Sequence, residues 1–153
     1  MGYWDCTARD EAARAALEER DNAINKWKET KATYEEAVRI QGELTKTLEQ
    51  ATIMKDGYTD IKSSMVAAGD PISSSTNMEE IEAGCNCVDN YYTCLDETIT
   101  SCNEAVEKWK TQLDTDEKDM EAKKRAYTAA LTADCEWVST AGDGDSEESQ
   151  GDE

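Results

Sequence analysis

The strongest constraint in this sequence is a mirror relation between residues near its two ends. Facing residues in an antiparallel hairpin have a constant index sum, because one strand of the hairpin counts up while the other counts down. Three residue types share an index sum of 141: Cys6 with Cys135, Trp4 with Trp137, and Gly57 with Gly84. The midpoint of that sum falls on Asp70–Pro71, which holds the only proline of the chain. The sequence therefore predicts one reversal of direction near Pro71.

The mirror relation predicts a disulfide bond between Cys6 and Cys135. Such a bond would close a loop of about 130 residues, which loop-closure entropy associates with roughly 4–5 kcal/mol of stabilisation. The neighbouring Trp4 and Trp137 are predicted to cover the bond. A disulfide also indicates an oxidising compartment, because cytosolic thiols are kept reduced.

Helix one is predicted over residues 7–55. Thr7 is the predicted N-cap, and Asp10 in the first turn suits the positive end of the helix dipole. Asp56–Gly57 predicts the end of this helix. Its apolar stripe, with spacings near three and four, comprises Leu17, Ile24, Trp27, Tyr34, Val38, Leu44, Leu48 and Ala51.

Residues 56–87 are predicted to form a turn region with short helices. Pro71 and three consecutive serines mark the reversal. Asn77 and Glu80 have the spacing of a capping box, which would open a short helix ending at Gly84.

Helix two is predicted over residues 88–138, and residues 139–153 are predicted to be a disordered acidic tail. The helix has strict four-three alternation in its first half, through Val88, Tyr92, Leu95, Ile99, Cys102, Val106, Trp109 and Leu113. Its stripe then weakens through Met120, Tyr127, Leu131 and Val138. The predicted fold class is all-α, a long antiparallel, coiled-coil-like helical hairpin over residues 1–138, with thin burial along its single seam.

The other four cysteines have no partner on helix one. Cys102 lies in the apolar stripe and is predicted to be a small core residue. Cys94 and Cys102 are about 12 Å apart along one helix, too far for a disulfide. A second stripe lies beside the first on helix two and comprises Cys87, Tyr91, Cys94 and Thr98. An intermolecular disulfide through that face remains open, as does a local bridge from Cys85 or Cys87. A zinc site of all four thiols is disfavoured, since a straight helix cannot converge them.

Composition argues against several classes of function. The net charge of −19 makes nucleic acid and anionic membranes poor partners. The chain has no histidine, and it contains no phosphate loop or dinucleotide fingerprint. No apolar run is long enough to cross a bilayer, and residues 1–20 contain no secretory h-region. We therefore expect a non-enzymatic protein without cofactor or metal, secreted without a visible cleavable signal peptide.

The predicted hairpin resembles the WXG-motif family and the small partners of LXG toxins, which are exported by type VII secretion. The segment Tyr92-Thr-Cys-Leu-Asp96 matches the Y-x-x-x-D/E export signal of those proteins. The resemblance covers about residues 7–138, although W-x-G is absent from the turn and the motif lies early in helix two. It implies a secreted targeting partner or dimerising component of a type VII-like system, with Tyr92 and Asp96 in the export motif.

Function is then expected to reside in helix faces that dock on a protein partner, either an effector or a second copy. Trp27, Trp109 and Tyr91 are the candidate anchors, provided that the tryptophans are not already buried in the seam. The alternatives are a disulfide-clamped structural or cell-surface rod that acts as a spacer or ligand binder, and a phage or virion component.

Overall fold

A computed structural model describes residues 1–68 and 75–140, with side chains for residues 1–67 and 79–140. The element order is β1 (Gly2–Asp5), α1 (Thr7–Ala68), α2 (Ser75–Thr132) and β2 (Glu136–Ser139). The two long helices pack together as an all-α helical hairpin, which confirms the predicted fold class. The predicted reversal near Pro71 and most of the predicted acidic tail lie outside the described residues.

The helices meet through positions that alternate at spacings of three and four residues, the period of a coiled-coil seam. On α1 these buried or half-buried positions are Ala13, Ala16, Arg20, Ala23, Trp27, Thr30, Tyr34, Ala37, Gln41, Leu44, Leu48, Ala51, Lys55, Tyr58, Lys62 and Met65. On α2 they are Ile81, Cys85, Val88, Tyr92, Leu95, Ile99, Cys102, Val106, Trp109, Leu113, Asp116, Met120, Lys123, Tyr127 and Ala130. All eight stripe residues predicted for the first half of helix two are among them.

Burial along this seam is thin, as the sequence predicts. The buried apolar side chains of the described residues are Ala13, Ala23, Ala51, Val88, Leu95, Val106 and Met120. Three of the seven are alanines, so the apolar area removed from water at their positions is small. The prediction that Leu131 continues the stripe is wrong, because that side chain is 51% exposed.

The hairpin divides into two compact units. Unit 1 comprises Met1–Trp27 and the described residues from Asp116 onward, and unit 2 comprises Lys28–Thr115. Pairs of residues in contact across the hairpin, the Cys6–Cys135 pair included, have index sums of 141 to 147 in unit 1 and 139 to 147 in unit 2. The predicted sum of 141 therefore lies within the observed range in each unit.

Polar seam residues of unit 1 have partners across the helices. The Arg20 guanidinium lies 4.6 Å from the centre of the Tyr127 ring, a cation–π contact. The Lys123 ammonium donates a 2.9 Å hydrogen bond to Glu19, and this pairing raises the pKa of Lys123. Polar groups at seam positions fix the register of a coiled coil, since a shifted register would leave them without partners.

The two strands β1 and β2 form an antiparallel ribbon within unit 1. β1 pairs with β2 in a register that sets Trp4 opposite Trp137, as the mirror relation predicts. The two indole rings meet edge to face with centroids 5.3 Å apart. The prediction that helix two reaches residue 138 is wrong, because α2 ends at Thr132 and β2 follows. Cross-strand aromatic and β-branched side chains stabilise a strand pair, which outweighs the helical pattern here.

Two further predicted boundaries are wrong. Helix one does not end at Gly57, because α1 continues to Ala68. Gly84 lies inside α2 and does not end a short helix, and this helix begins at Ser75, before the predicted capping box. A helix-interior glycine costs about 1 kcal/mol, which the three-four packing of the helices offsets at both positions.

Gly57 and Gly84 are expected to respond oppositely to alanine. A Cβ at Gly57 would meet nothing within 4 Å, so Gly57→Ala should raise the free energy of unfolding by about 0.5–1 kcal/mol. A Cβ at Gly84 would lie 2.6 Å from the Tyr58 ring. Gly84→Ala should therefore lower stability by about 1 kcal/mol, after overpacking is set against better helix propensity. Urea unfolding measures both, and stabilisation by Gly84→Ala would contradict the Tyr58 contact.

The predicted N-cap is also displaced. Thr7 is the first residue of α1, and its backbone N–H donates a 2.9 Å hydrogen bond to Oδ1 of Asp5. Hydrogen bonds from the Thr7 side chain and backbone hold the pKa of Asp5 below its usual value of 3.8. The carboxylate that satisfies the start of this helix therefore comes from β1.

The lowered pKa of Asp5 predicts an acid-dependent loss of stability. The group contributes stability above its unfolded pKa, and this contribution is lost as the pH falls through the lower pKa of the folded state. Asp5→Asn keeps the acceptor oxygen but does not titrate. Below about pH 4 we expect the melting temperature of the wild type to fall relative to that of Asp5→Asn. Parallel curves for the two proteins would contradict the Asp5–Thr7 contact.

Candidate functional site

The predicted disulfide is present in unit 1. Cys6 and Cys135 are bonded, with their Cα atoms 4.5 Å apart and 129 positions apart in sequence. Cys6 directly precedes α1, and Cys135 lies in the short connection between α2 and β2. The flanking indoles do not enclose the bond, since Trp4 is 64% and Trp137 56% exposed. The bond thus joins the residue directly before α1 to the segment that follows α2.

The remaining four cysteines are free thiols, so the alternative of a local bridge from Cys85 or Cys87 is not realised. Cys102 is half-buried and its thiol lies 3.8 Å from the Ala37 carbonyl oxygen on α1, which agrees with its predicted place in the stripe. The half-buried Cys85 thiol lies 3.8 Å from the Tyr58 carbonyl oxygen. Cys87 and Cys94 are exposed on α2.

This difference in burial predicts two classes of thiol reactivity. An attacking reagent must reach the thiolate, so exposed cysteines react before packed ones. We expect Cys87 and Cys94 of the folded, unreduced single chain, labelled at high dilution, to be alkylated at least about tenfold faster than Cys85 and Cys102. Timed iodoacetamide labelling followed by peptide mass spectrometry measures this, and unfolding in urea should remove the difference. Uniform labelling of all four in the native protein would contradict the packing.

The two residues that match the Y-x-x-x-D/E pattern occupy different environments. Tyr92 lies in the seam of unit 2, where the Lys55 ammonium is 4.6 Å from the centre of its ring. Asp96 is exposed one helical turn later. Tyr92 therefore has a packing role within the hairpin, whereas the Asp96 carboxylate is accessible to a second protein.

The three candidate anchors also differ in their exposure to solvent. Trp27 of unit 1 and Trp109 of unit 2 are half-buried at seam positions, so their rings contribute to the hairpin itself. Tyr91 is 49% exposed. Of the three, Tyr91 has the accessibility that docking requires.

One side of the unit 2 seam carries ionic and polar pairs. Lys55 lies 3.7 Å from Asp89, and a second lysine–carboxylate pair at 3.7 Å joins Lys62 and Glu82. On the same side, Gln41 donates a 2.7 Å hydrogen bond to Asn103. In a coiled coil, the α2 members of these pairs occupy positions directly beside the seam.

The opposite side of unit 2 carries no charge over a stretch two helices wide. We call this surface the uncharged strip; it comprises Thr47, Gln50, Met54, Gly57, Ile61 and Ser64 of α1 and Gly84, Cys87, Tyr91, Cys94, Thr98 and Ser101 of α2. Both sets advance by alternating steps of three and four, so each lies along one helix face. On α1 the strip ends at Glu43, the next position of the same spacing before Thr47. On α2 the uncharged Ala105 follows Ser101 at this spacing, and the charged Lys108 comes one step later.

Apolar side chains from both helices meet within the uncharged strip. Met54 is 52% exposed and Ile61 is 48% exposed. Met54 lines a shallow cleft together with Cys87, Val88 and Tyr91. The sequence pattern indicates Tyr91 and the cysteine face of α2 but gives no prediction for the α1 half. The absence of charge at spacings of three and four from Thr47 to Ser64 is the signal that could have found it.

Few other features of the described residues suggest a ligand. A second cleft, in unit 1, is lined by residues that include Trp4, Arg9, Leu131 and Asp134. Over residues 1–68 and 75–140 no group of three or more potential metal-ligating side chains converges. In the same part of the chain, neither helix combines the length and apolarity of a membrane span.

No protein-family model matches this sequence, and comparisons with curated proteins and with solved structures also found no similar protein.

Proposed function

We propose that this protein is a non-enzymatic helical interaction protein, a secreted targeting partner or dimerising component of a type VII-like export system. The observation that carries the proposal is the uncharged strip of unit 2. An exposed apolar helix surface bordered by polar residues is typical of a docking site, and helix-in-groove recognition uses anchors at spacings of three and four. Met54, Ile61 and Tyr91 have that arrangement.

The export part of the proposal is supported by the Tyr92–Asp96 motif and by the Cys6–Cys135 bond. A disulfide of this kind suits a protein that works outside the reducing cytosol. Asp96 is exposed and can be read by an export component, while Tyr92 holds the motif against the seam through Lys55.

Secretion of single-site variants from the native cells tests the export role. Asp96→Ala should reduce the amount of protein in the medium at least about tenfold while the cell-associated amount persists. Glu97→Ala is the matched control, because it removes a neighbouring exposed carboxylate. Equal secretion of the two variants would contradict a role for Asp96, and secretion that continues without the export machinery would contradict the type VII assignment.

A second candidate is a disulfide-clamped structural or cell-surface protein. The ribbon and the Cys6–Cys135 bond favour it, since they secure the chain ends without providing a binding surface. In that case the protein should remain with the cell envelope, and substitutions in the uncharged strip should leave its localisation and binding unchanged. Fractionation of cells that express a strip variant such as Tyr91→Glu separates the two candidates.

A further inference from the structure

We propose that the occupant of the uncharged strip is a second copy of this chain, which packs strip against strip. The inference deepens the proposed function, because it identifies the partner of the docking surface. It starts from the distribution of charge, since one third of the residues are charged and the net charge is −19. If two copies met through another part of their surface, like charges would be brought together, and the affinity would fall several-fold or more.

The strip is self-complementary in charge because neither copy brings an ionic group to it. Because the strip has no charged group, it cannot form salt bridges with a basic protein. The surface that fits it best is therefore an uncharged helix surface. A copy of the strip is such a surface, with the same spacing of apolar and small side chains. The charged side of unit 2, with Asp89 and Glu82, is directed away from this contact.

The area of the strip fits a partner that presents two adjacent helices better than a partner that presents a single helix. From Thr47 to Ser64 it extends about 26 Å along α1 at 1.5 Å per residue. Two adjacent helices make it roughly 20 Å wide. About 500 Å² per copy would be covered, or about 1,000 Å² in total, which reaches the lower bound of a specific interface. A single foreign helix would cover about half of this area.

The side chains of the strip provide both anchors and room for close approach. Met54, Ile61 and Tyr91 are exposed by 52%, 48% and 49%. Gly57 lies between the two α1 anchors with open space above its Cα, so a second helix can approach the backbone there. Two identical strips related by a twofold axis form an isologous contact, the commonest kind in homodimers.

Sedimentation equilibrium of the purified full chain tests the proposal with a matched pair of variants. Thr98 lies in the strip and Thr100 lies outside it. Both are exposed threonines of α2 that donate a hydrogen bond to the carbonyl four residues earlier. Thr98→Glu and Thr100→Glu therefore remove the same local bond and add the same charge, so the net charge of the two variants is matched. Circular dichroism should show equal helix content.

We expect the wild type to be a dimer at micromolar concentrations. Thr98→Glu should raise the dimer dissociation constant by about tenfold or more, and Thr100→Glu should leave it within about twofold. A bismaleimide should join two wild-type copies through Cys87 or Cys94, and Thr98→Glu should abolish that product. A monomeric wild type, or equal weakening by both variants, would overturn the proposal.

The same measurements keep this inference distinct from the proposed function. A wild type that is monomeric but binds a different protein, with binding lost in Thr98→Glu and kept in Thr100→Glu, would overturn the second copy as occupant and leave the docking function intact. A dimer that depends on the strip in a protein that never reaches the medium would support the inference and contradict the export role.

Discussion

Loss of the Cys6–Cys135 disulfide should reduce the free energy of unfolding by about 4–5 kcal/mol, the largest single effect expected in this protein. The reason is the sequence separation of 129 positions between the bonded residues. The bond removes many conformations from the unfolded chain, and the thin seam offers little apolar burial to replace that contribution. At this chain length the melting temperature should fall by roughly 10–20 °C.

The measurement is thermal unfolding followed by far-UV circular dichroism, on Cys6→Ser/Cys135→Ser and on the wild type with and without dithiothreitol. The reductant should shift the wild type and leave the double variant unchanged. Cys87→Ser/Cys94→Ser is the matched control, because it replaces two exposed free thiols and should change stability by less than about 0.5 kcal/mol. A wild-type melting temperature that is insensitive to reductant would contradict a stabilising role for the bond.

The hairpin and its clamp could be predicted from sequence because both depend on simple arithmetic. Apolar residues at alternating spacings of three and four define a helix face, whatever residues lie between them. A constant index sum between facing residues defines antiparallel pairing. Both criteria apply over many positions, so occasional polar residues do not obscure them. The register of Trp4 with Trp137 was correct even though the secondary structure predicted for Trp137 was wrong.

The helix boundaries could not be predicted because they depend on contacts between distant residues. Gly84 reads locally as a helix end, yet the Tyr58 ring packs against it from α1. Trp137 continues a helical stripe in sequence, yet pairing with β1 makes it part of a strand. Local propensity is a weak prior, and tertiary contacts decide such positions.

Only half of the uncharged strip can be recognised from sequence, for a related reason. An apolar stripe is a positive signal, whereas the uncharged strip is marked mainly by the charges that it lacks. The α2 half was visible through Cys87, Tyr91 and Cys94. The α1 half, centred on Met54 and Ile61, does not stand out from the polar residues around it in the sequence. Only the structure, which places Met54 beside Tyr91, shows that the two halves form one surface.

Asp116 is the second residue whose substitution should have a large effect. It occupies a seam position of α2 in unit 1, its side chain is 2% exposed, and its Oδ1 lies 3.4 Å from the Lys26 ammonium. The burial of Asp116 has no local signal in the sequence, since it is one of 35 acidic residues. Burial of a carboxylate is tolerated only with partners, and no buried side-chain nitrogen or oxygen of the described residues lacks one.

Asp116→Ala should lower the free energy of unfolding by about 2–3 kcal/mol, because it removes the ion pair of a buried carboxylate and leaves a gap in the seam. Asp114→Ala removes an exposed carboxylate two residues earlier and should change stability by less than about 0.5 kcal/mol. Urea unfolding compares the two variants. Because Lys26 is 63% exposed, its coupling to Asp116 in a double-mutant cycle should be only about 0.5–1 kcal/mol. Equal effects of the two aspartate variants would mean that Asp116 does not face α1, and the register of unit 1 would then have to be revised.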